Sequence, residues 1–468
     1  MFLVMIGETI TATALPAIAA SLGGVELIAW VVSVYMVCVS ITAPVYGRLG
    51  DAFGRRRMMV VALTITMIGS LVCSLSTSIE MLIAARALQG LGGGGLISLS
   101  LALLGQSVQP RDRVRYHGYI SVIGFSASAL GPAIGGVLTA TFGWPSVFLF
   151  NLPFGLAAIA LVFRLPPRTT PFEPFRFDLP GLLFFASFVW SLLVLVQEGR
   201  RPADMRLVLM SGLLVGVIVA LVLLIWREKR ASVPLFPPLL ITNPNIWRCD
   251  AMAACHGAYF VSVLTFVPLY LRVIHDQSIV DIGLLLLPIT LAAGVGSFLT
   301  GQVVSRTGRS AIVPSLGMSI VAAMFAFLGF FIDTMSPWVI SAFLGVVAMA
   351  MGTVMGVVQA TAQSETPKEL LGTSTATISV SRSLGGAVGT ALAGALLFAI
   401  MAANGIEIST ELQAILQGGG EGPSNLNPDT IASIRHGIAA AFRGVIFLIA
   451  TYAAISCFLA WTLPRRTL

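Results

Sequence analysis

Apolar runs of about 20 residues recur along the whole chain of 468 residues, separated by short polar connections. A helix of that length crosses the roughly 30 Å hydrocarbon layer of a bilayer and satisfies its own backbone hydrogen bonds. The runs therefore predict an all-α membrane protein with about fourteen transmembrane helices, which we call spans 1 to 14. We place them at residues 1–21, 27–46, 58–76, 80–103, 116–138, 146–164, 179–197, 206–226, 249–271, 280–304, 312–332, 337–361, 373–400 and 438–462.

Composition excludes a water-soluble globule. Only 10% of the residues are charged and the mean hydropathy is +0.94, so there is too little polar surface to cover the apolar side chains. The five cysteines lie in or beside spans without a CxxC pair, which indicates small core residues. The first residues enter an apolar run with no basic stretch and no cleavage site, so we expect span 1 to be a membrane helix rather than a cleaved signal peptide.

Basic residues lie mainly in alternate connections. Of the 27 Lys and Arg residues, 19 lie in the set of connections that begins with residues 47–57 and ends with the C-terminus, 5 lie in the other set and 3 lie within spans. The positive-inside rule places the richer set in the cytoplasm, and an even number of spans places both termini there. The net charge of +7 is thus explained by topology and indicates no nucleic-acid partner.

The connection between spans 2 and 3 has a second copy later in the chain. GRLGDAFGR at 47–55 matches GQVVSRTGR at 301–309, an offset of 254 residues. QSVQPRD, which begins at Gln106, matches QSETPKE, which begins at Gln363, and ISV at 120 recurs at 378. Three ordered matches at nearly one spacing indicate a duplication of six spans.

The duplication predicts two parallel, pseudo-symmetric six-helix halves plus two inserted helices. We assign 1–165 to the N-terminal half, 166–245 to spans 7 and 8 with their linkers, and 246–468 to the C-terminal half. Transporters built from such repeats bind substrate near the midplane, where the repeats meet.

Several further short motifs follow one another in order. They are LIAARALQGLGGG at 82–94, GPAIGG at 131–136, TATALP at 11–16, FLFNLPFG at 148–155, DLPG at 178–181, PLYL at 268–271 and SRSLGGAVG at 381–389. Together with the duplicated loop, they resemble the major facilitator superfamily over essentially the whole chain, and specifically its fourteen-helix drug:proton antiporter branch.

The resemblance implies a multidrug efflux type of transporter that exports amphipathic or cationic organic compounds in exchange for protons, by alternating access. It implies a multi-pass monomer in the bacterial inner (plasma) membrane. Its partners would be a small lipophilic or cationic substrate, protons and lipid, with no cofactor and no metal.

In the connection between spans 2 and 3, the resemblance implies a cytoplasmic gate formed by Gly47, Asp51, Gly54 and Arg55. The glycines permit a tight helix crossing, and Asp51 would engage an arginine and the N-terminus of a helix in the opposite half. A carboxylate at a helix N-terminus is stabilising by about 0.3–1 kcal/mol, and this contact is lost when the halves part. Simple anchoring of the loop by its arginines is the alternative.

Spans 4 and 5 carry two more implied sites. Arg86 in span 4 is costly in a membrane unless it is paired, and the resemblance implies a role in proton coupling; a structural arginine is the alternative. In span 5 the antiporter motif, with Gly131, Pro132, Gly135 and Gly136, implies a seal between halves that favours antiport. Generic packing of small residues is the alternative there.

Glu8 is the only carboxylate clearly within a predicted span. An acidic side chain inside the membrane marks a proton or ion pathway, so Glu8 is the first candidate for the proton carrier. The antiporter branch usually has an aspartate nine residues before the proline of span 1, and that position is Gly7 here. Either Glu8 replaces the aspartate from about 100° around the helix, or the coupling differs.

Three other polar residues are candidates for the cavity or for coupling. Asp250 and His256 lie in span 9 and Arg382 lies in span 13. Alternatively, Asp250 lies at the membrane interface, His256 is a hydrogen-bonded core histidine and Arg382 has a structural role.

Other functions remain to be weighed. The antiporter signature disfavours uptake but does not separate drug export from export of a dedicated metabolite or lipid by the same fold. A membrane-embedded enzyme or receptor is the competing class, but the sequence has no HExxH, no GxSxG with partner residues and no phosphate-binding loop. We therefore expect a transporter and not an enzyme.

Overall fold

The computed structural model describes residues 1–24, 27–165, 177–198, 207–231, 233–403 and 428–463. Helices dominate these ranges. They are α1 (Phe2–Leu22), α2 (Ile28–Phe53), α3 (Arg55–Ser74), α4 (Ile79–Ser107), α5 (Pro110–Phe142), α6 (Pro145–Leu149), α7 (Asn151–Val162), α8 (Leu179–Glu198), α9 (Leu207–Arg230), α10 (Pro238–Thr242), α11 (Pro244–His275), α12 (Ile279–Thr307), α13 (Ile312–Phe331), α14 (Pro337–Met351), α15 (Met355–Glu365), α16 (Leu371–Ala403) and α17 (Pro428–Trp461).

Fourteen helical segments in the described ranges are long and apolar enough to cross a membrane, which confirms the predicted fold class. Spans 6 and 12 each consist of two successive helices, α6 with α7 and α14 with α15. Several helices are longer than their predicted spans; α2, for example, continues to Phe53. Hydropathy marks only the part of a helix within hydrocarbon, whereas backbone hydrogen bonding continues into the polar region.

The two six-helix bundles repeat one packing pattern. In the first bundle α1 packs on α5 and α2 packs on α4; in the second, α11 packs on α16 and α12 packs on α14. These are the same pairs once the offset of about 254 residues is applied. The bundles meet along two seams, α5 against α12 and α2 against α16. We call the end that carries residues 47–57, predicted to be cytoplasmic, the inner end, and the opposite end the outer end.

The inserted helices α8 and α9 pack on each other, and α8 also contacts α2 and α16. Trp30 of α2 stacks on Trp190 of α8, with ring centroids 5.6 Å apart. At the inner end, Asp178 before α8 forms a 2.8 Å ion pair with Arg227 of α9. The inserted pair therefore lies over the α2–α16 seam. Its predicted boundaries stay a prediction, because 166–176 and 232 lie outside the described residues.

The glycine-rich stretch of α4 is a helix-packing surface. A Cβ atom on Gly94 would meet the carbonyl oxygen of Val39 and the hydroxyl of Thr42 on α2, whereas a Cβ atom on Gly92 would meet Ala62 and Thr66 on α3. Glycines on two faces of α4 therefore let two neighbouring backbones approach it closely, as in other membrane helices.

We predict that Gly94→Ala destabilises the protein by about 1–3 kcal/mol, because the new methyl group forces α2 and α4 apart. The matched control is Gly212→Ala on α9, where a Cβ atom would meet nothing within 4 Å. Alanine is the better helix former by up to about 1 kcal/mol, so the control should be neutral or stabilising. Thermal unfolding of the detergent-solubilised variants measures the difference, and equal shifts in the two would contradict this account of α4.

Candidate functional site

Asp51 connects the two halves at the inner end. Its two carboxylate oxygens accept hydrogen bonds from the backbone N–H groups of Gly372 and Thr373, both at 3.0 Å, at the start of α16. The Thr373 hydroxyl also donates to Asp51, at 3.1 Å. The first N–H groups of a helix have no partner within it and carry partial positive charge, so a carboxylate there is stabilised. We call this contact the Asp51 latch.

Arg55 holds the same carboxylate from within the first half. Its guanidinium donates to Asp51 at 2.7 Å, to the side-chain oxygen of Gln106 at 2.6 Å and to the carbonyl of Lys368 at 3.0 Å. The side chains of Asp51 and Arg55 are each only 6% exposed. The ion pair is therefore shielded from water, and it also reaches the second half through Lys368.

Two glycines shape the backbone around the latch. A Cβ atom on Gly47 would lie 2.6 Å from the carbonyl oxygen of Gly372, so only glycine permits this approach of α2 to α16. Gly54 has φ of +94°, and this lets the chain turn from α2 directly into α3. All four predicted gate residues thus lie at one crossing of the two halves.

A second set of contacts across the halves was not predicted. Gln363 of α15, 1% exposed, donates at 3.0 Å to the carbonyl of Leu101 on α4 and lies 3.4 Å from the His117 ring on α5. Arg111 of α5 donates to the carbonyls of Ser305 and Arg306 at the end of α12. The repeat contained a signal for this set, since Gln363 matches Gln106 and Ser305 matches Asp51 in the duplicated segments.

Arg86 lies in a fully buried polar site in the first half. Its Nε donates to the carbonyl of Val31 at 3.0 Å and its Nη1 donates to Gln89 at 2.5 Å. The guanidinium carbon also lies 4.1 Å from the centroid of the Tyr35 ring. Its remaining Nη2 has no hydrogen-bond partner among the residues that the structure describes. Carbonyl, amide and π contacts therefore offset part of the cost of burying this cation.

Glu8 lies within electrostatic range of two arginines, Arg86 in its own half and Arg382 on α16 in the other half. Neither Glu8 nor Arg382 makes a side-chain hydrogen bond or ion pair within the described part of the chain, and both keep partly exposed surface. The neighbouring Gly7, where the antiporter branch has its aspartate, faces the side chain of Asn151. Glu8 and Arg382 are thus an acidic and a basic side chain on opposite halves, and neither is hydrogen-bonded to another described side chain.

His256 and Asp250 occupy different surroundings on α11. The His256 ring is buried, stacks on Phe260 at 5.6 Å and lies within electrostatic range of Arg382. Phe260 in turn contacts Phe125 on α5, with centroids 5.8 Å apart, so this aromatic cluster crosses between the halves. Asp250 lies nearer the inner end, beside Ser381.

The antiporter-motif glycines have different neighbours. Cβ atoms on Gly131 and Gly135 would collide with Thr9, Ile10 and Thr13 of α1, so in this conformation these two glycines pack within their own half. A Cβ atom on Gly136 would meet nothing within 4 Å. Pro132 lies inside α5, where it removes a backbone hydrogen bond.

No group of three or more His, Cys, Asp or Glu side chains suited to a metal ion occurs among the residues that the structure describes.

Comparisons with known proteins agree with this architecture. The Major Facilitator Superfamily pattern matches residues 1–390. Two solved structures share the fold at low identity: the human organic anion transporter MFSD10 (TM-score 0.62, 16% identical, covering 98% of this chain and 97% of that one) and the proton:xylose symporter XylE (TM-score 0.60, 14% identical, covering 99% and 93%).

Curated relatives are similar over about three quarters of this chain. An uncharacterized MFS-type transporter of Mycobacterium tuberculosis is 32% identical over 347 residues (74% of this chain, 50% of that protein), so the match spans only half the length of that relative. The efflux pump dotC of Dothistroma septosporum is 33% identical over 345 residues (72% and 59%), and the multidrug transporter protein MdtP of Bacillus subtilis is 29% identical over 356 residues (76% and 65%). The chain therefore belongs to the major facilitator superfamily, and its described residues contain the helices of a multi-pass membrane protein.

Proposed function

We propose that this protein exports amphipathic or cationic organic compounds in exchange for protons, by alternating access. The observation that carries the proposal is the Asp51 latch, a buried contact between the halves at one end of the bundle. The names of the relatives as efflux and multidrug transporters support the direction of transport and the substrate class.

The inner end is closed in this structure. Besides the Asp51 latch, the contact of Gly47 with Gly372 and the hydrogen bonds of Gln363 and Arg111 join the halves there. Each of these contacts consists of polar groups that water can solvate once the halves part. A small buried apolar cluster of Val114, Val304 and Val357 also joins the halves there, so opening would expose some apolar surface besides these polar groups.

Glu8 supports the proposed proton coupling through its position. When Glu8 is ionised, its charge attracts Arg382 of the other half; when it is protonated, that attraction is lost. Protonation would therefore change the energy of contact between the halves as well as the charge of the site. Arg86 would tune the ionised state from within the first half.

Apolar and acidic side chains on the two halves suit an amphipathic substrate. The cluster of Phe125, Phe260 and His256 provides flat apolar surface between α5 and α11. Glu8 provides a carboxylate on which a cationic group of the substrate can take the place of a proton. We further propose a monomer in the bacterial inner membrane with both termini cytoplasmic. Within it, 1–165 and 246–468 are the moving halves.

We predict that Asp51→Asn shifts the protein toward states open at the inner end. Loss of the carboxylate charge at the α16 N-terminus costs about 1–2 kcal/mol, or a factor of about 5–30 in the ratio of closed to open states. Labelling of a cysteine at Thr375, buried beside Gln363, measures this in a background without the five native cysteines.

The matched control for the Asp51 latch is Asp281→Asn. Asp281 is also a carboxylate at a helix N-terminus, but among the described residues it bonds only to Ser278, which caps its own helix. The control should leave labelling at Thr375 unchanged. Equal labelling in Asp51→Asn and the control, together with normal transport, would contradict the gate.

We predict that Glu8→Gln abolishes accumulation driven by a pH gradient in proteoliposomes while exchange of substrate across the membrane persists. The amide keeps the size of the side chain but cannot release a proton. The matched control is Glu80→Gln, an exposed carboxylate at the outer end of α4, which should behave as wild type. Accumulation by Glu8→Gln at the wild-type rate would move the search to Asp250 and His256.

Transport of a metabolite or lipid but of no compound in a panel of cationic dyes would favour a dedicated exporter.

A further inference from the structure

The seam between α5 and α12 carries a basic surface patch at the inner end. Arg115 on α5, Arg306 in the last turn of α12 and Arg309 just after that helix are all exposed. Arg115 precedes predicted span 5, and the other two arginines follow predicted span 10. Their side chains therefore lie at the level of the lipid headgroups. We call Arg115, Arg306 and Arg309 the seam arginines.

Contacts along the seam bring these arginines together from the two halves. Arg111, one turn before Arg115, donates to the carbonyls of Ser305 and Arg306. A Cβ atom on Gly301 would lie 2.8 Å from the Cα of Arg115, so the two helices run in opposite directions. Arg306 lies five residues from Gly301, about 7.5 Å of helix rise. The side chains of Arg115 and Arg306 can therefore reach one ligand between them.

Below the arginines, the same surface becomes polar and then aromatic. The Tyr119 hydroxyl on α5 accepts hydrogen bonds from Arg115 Nε at 3.1 Å and from Gln302 of α12 at 3.4 Å. The ring of Tyr119 lies 5.6 Å from that of Phe298. Phe298, Gln302 and Arg306 are spaced four residues apart, so they share one face of α12. From the inner end toward the membrane centre, the surface presents cations, then hydroxyl and amide groups, then rings.

Most hydrogen-bond donors of the patch have no acceptor among the residues that the structure describes. Arg306 and Arg309 form no side-chain hydrogen bond or ion pair there, and Arg115 donates only through its Nε. The Tyr119 hydroxyl accepts two hydrogen bonds, so its own hydrogen is left to donate. Asp112, three residues before Arg115, forms no ion pair with these described arginines. The patch therefore suits a ligand with negative charge and several acceptor oxygens.

At the inner end of the other seam, α2 with α16, the protein itself supplies the acceptors. Arg48 of α2 donates to the carbonyl of Pro234, which follows α9, and Arg227 of α9 pairs with Asp178. No described helix covers the α5–α12 seam as α8 covers the other one. The bilayer is the neighbouring source of acceptors at this depth, because its headgroups carry phosphate oxygens.

We propose that the seam arginines bind the phosphate of an anionic phospholipid, which bridges the two halves at the inner end. Arg115 donates from the first half, and Arg306 and Arg309 donate from the second. Tyr119 donates to an ester oxygen of the lipid, and an acyl chain lies along Phe298. An anionic headgroup binds better than a zwitterionic one, because three cations converge there without a paired acid.

The bound lipid stabilises the closed inner end, since it contacts both halves only while the seam is together. This consequence rests on the alternating access proposed above. The binding site itself does not, because it is formed by the contacts of the closed structure.

Lipid binding to the purified protein tests the site without a transport assay. Native mass spectrometry counts molecules of phosphatidylglycerol bound during a titration, with phosphatidylcholine as the zwitterionic comparison. Arg306→Gln with Arg309→Gln, and separately Arg115→Gln, should each weaken phosphatidylglycerol binding by at least about fivefold and leave phosphatidylcholine unchanged. The matched control is Lys229→Gln with Arg230→Gln, an exposed basic pair in the last turn of α9, which should bind as wild type.

Three outcomes overturn the proposal. An equal loss of binding in the α9 control would mean that phosphatidylglycerol follows surface charge alone. Unchanged binding in the variant of Arg306 and Arg309 removes the site, and this variant should fold normally because these side chains bond to no described residue. A loss in the variant of only one half removes the bridge between the halves.

Labelling of Thr375→Cys, in the background without native cysteines, tests the effect on the inner end. Labelling in phosphatidylglycerol nanodiscs should be about fivefold slower than in phosphatidylcholine nanodiscs. The difference should vanish in the variant of Arg306 and Arg309 and persist in the α9 control. Equal labelling in the two lipids, while Asp51→Asn still raises it, overturns the effect of the lipid on closure. If Asp51→Asn also leaves labelling unchanged, the alternating movement is wrong, and phosphatidylglycerol binding alone still decides the site.

Discussion

The contact between Asp51 and the first N–H groups of α16 joins the two halves at the inner end. Those N–H groups have no partner inside their helix, and without the carboxylate they would need water or another acceptor. Asp51 supplies this acceptor from the opposite half. The contact that joins the halves at the inner end is therefore also the one that satisfies the first N–H groups of α16. Arg55 binds the same carboxylate and reaches the backbone of Lys368, so the ion pair and the helix end share one carboxylate.

The two halves use related segments for unlike contacts. Asp51 in the first half accepts hydrogen bonds from a helix start, whereas its repeat counterpart Ser305 offers its backbone carbonyl to Arg111 at a helix end. One contact places a negative charge at a positive helix terminus, and the other places a positive charge at a negative one. The duplication thus kept the position of the contacts and reversed their polarity.

Much of the fold could be predicted from the sequence. The length of an apolar run can be read locally, and the spacing of the repeats needs only two segments of the chain to be compared. The fourteen spans and the two bundles follow from them. The partners of Arg86 could not be predicted in the same way, since the Val31 carbonyl and the Tyr35 ring reach it only when α2 packs on α4. Likewise, the motif that marks Gly131, Gly135 and Gly136 does not reveal that two of them face α1 and one faces open space.

The inserted helices remove the symmetry that the duplication created. Of the two seams between the halves, α2 with α16 is covered by α8, whereas α5 with α12 has no such cover among the described helices. In the alternating access proposed above, α2 or α16 would slide along α8 on one side, where Trp30 stacks on Trp190. On the other side, the same movement would separate α5 from α12 with no described helix over them. The inserted pair would therefore make one flank of the protein resist the movement differently from the other.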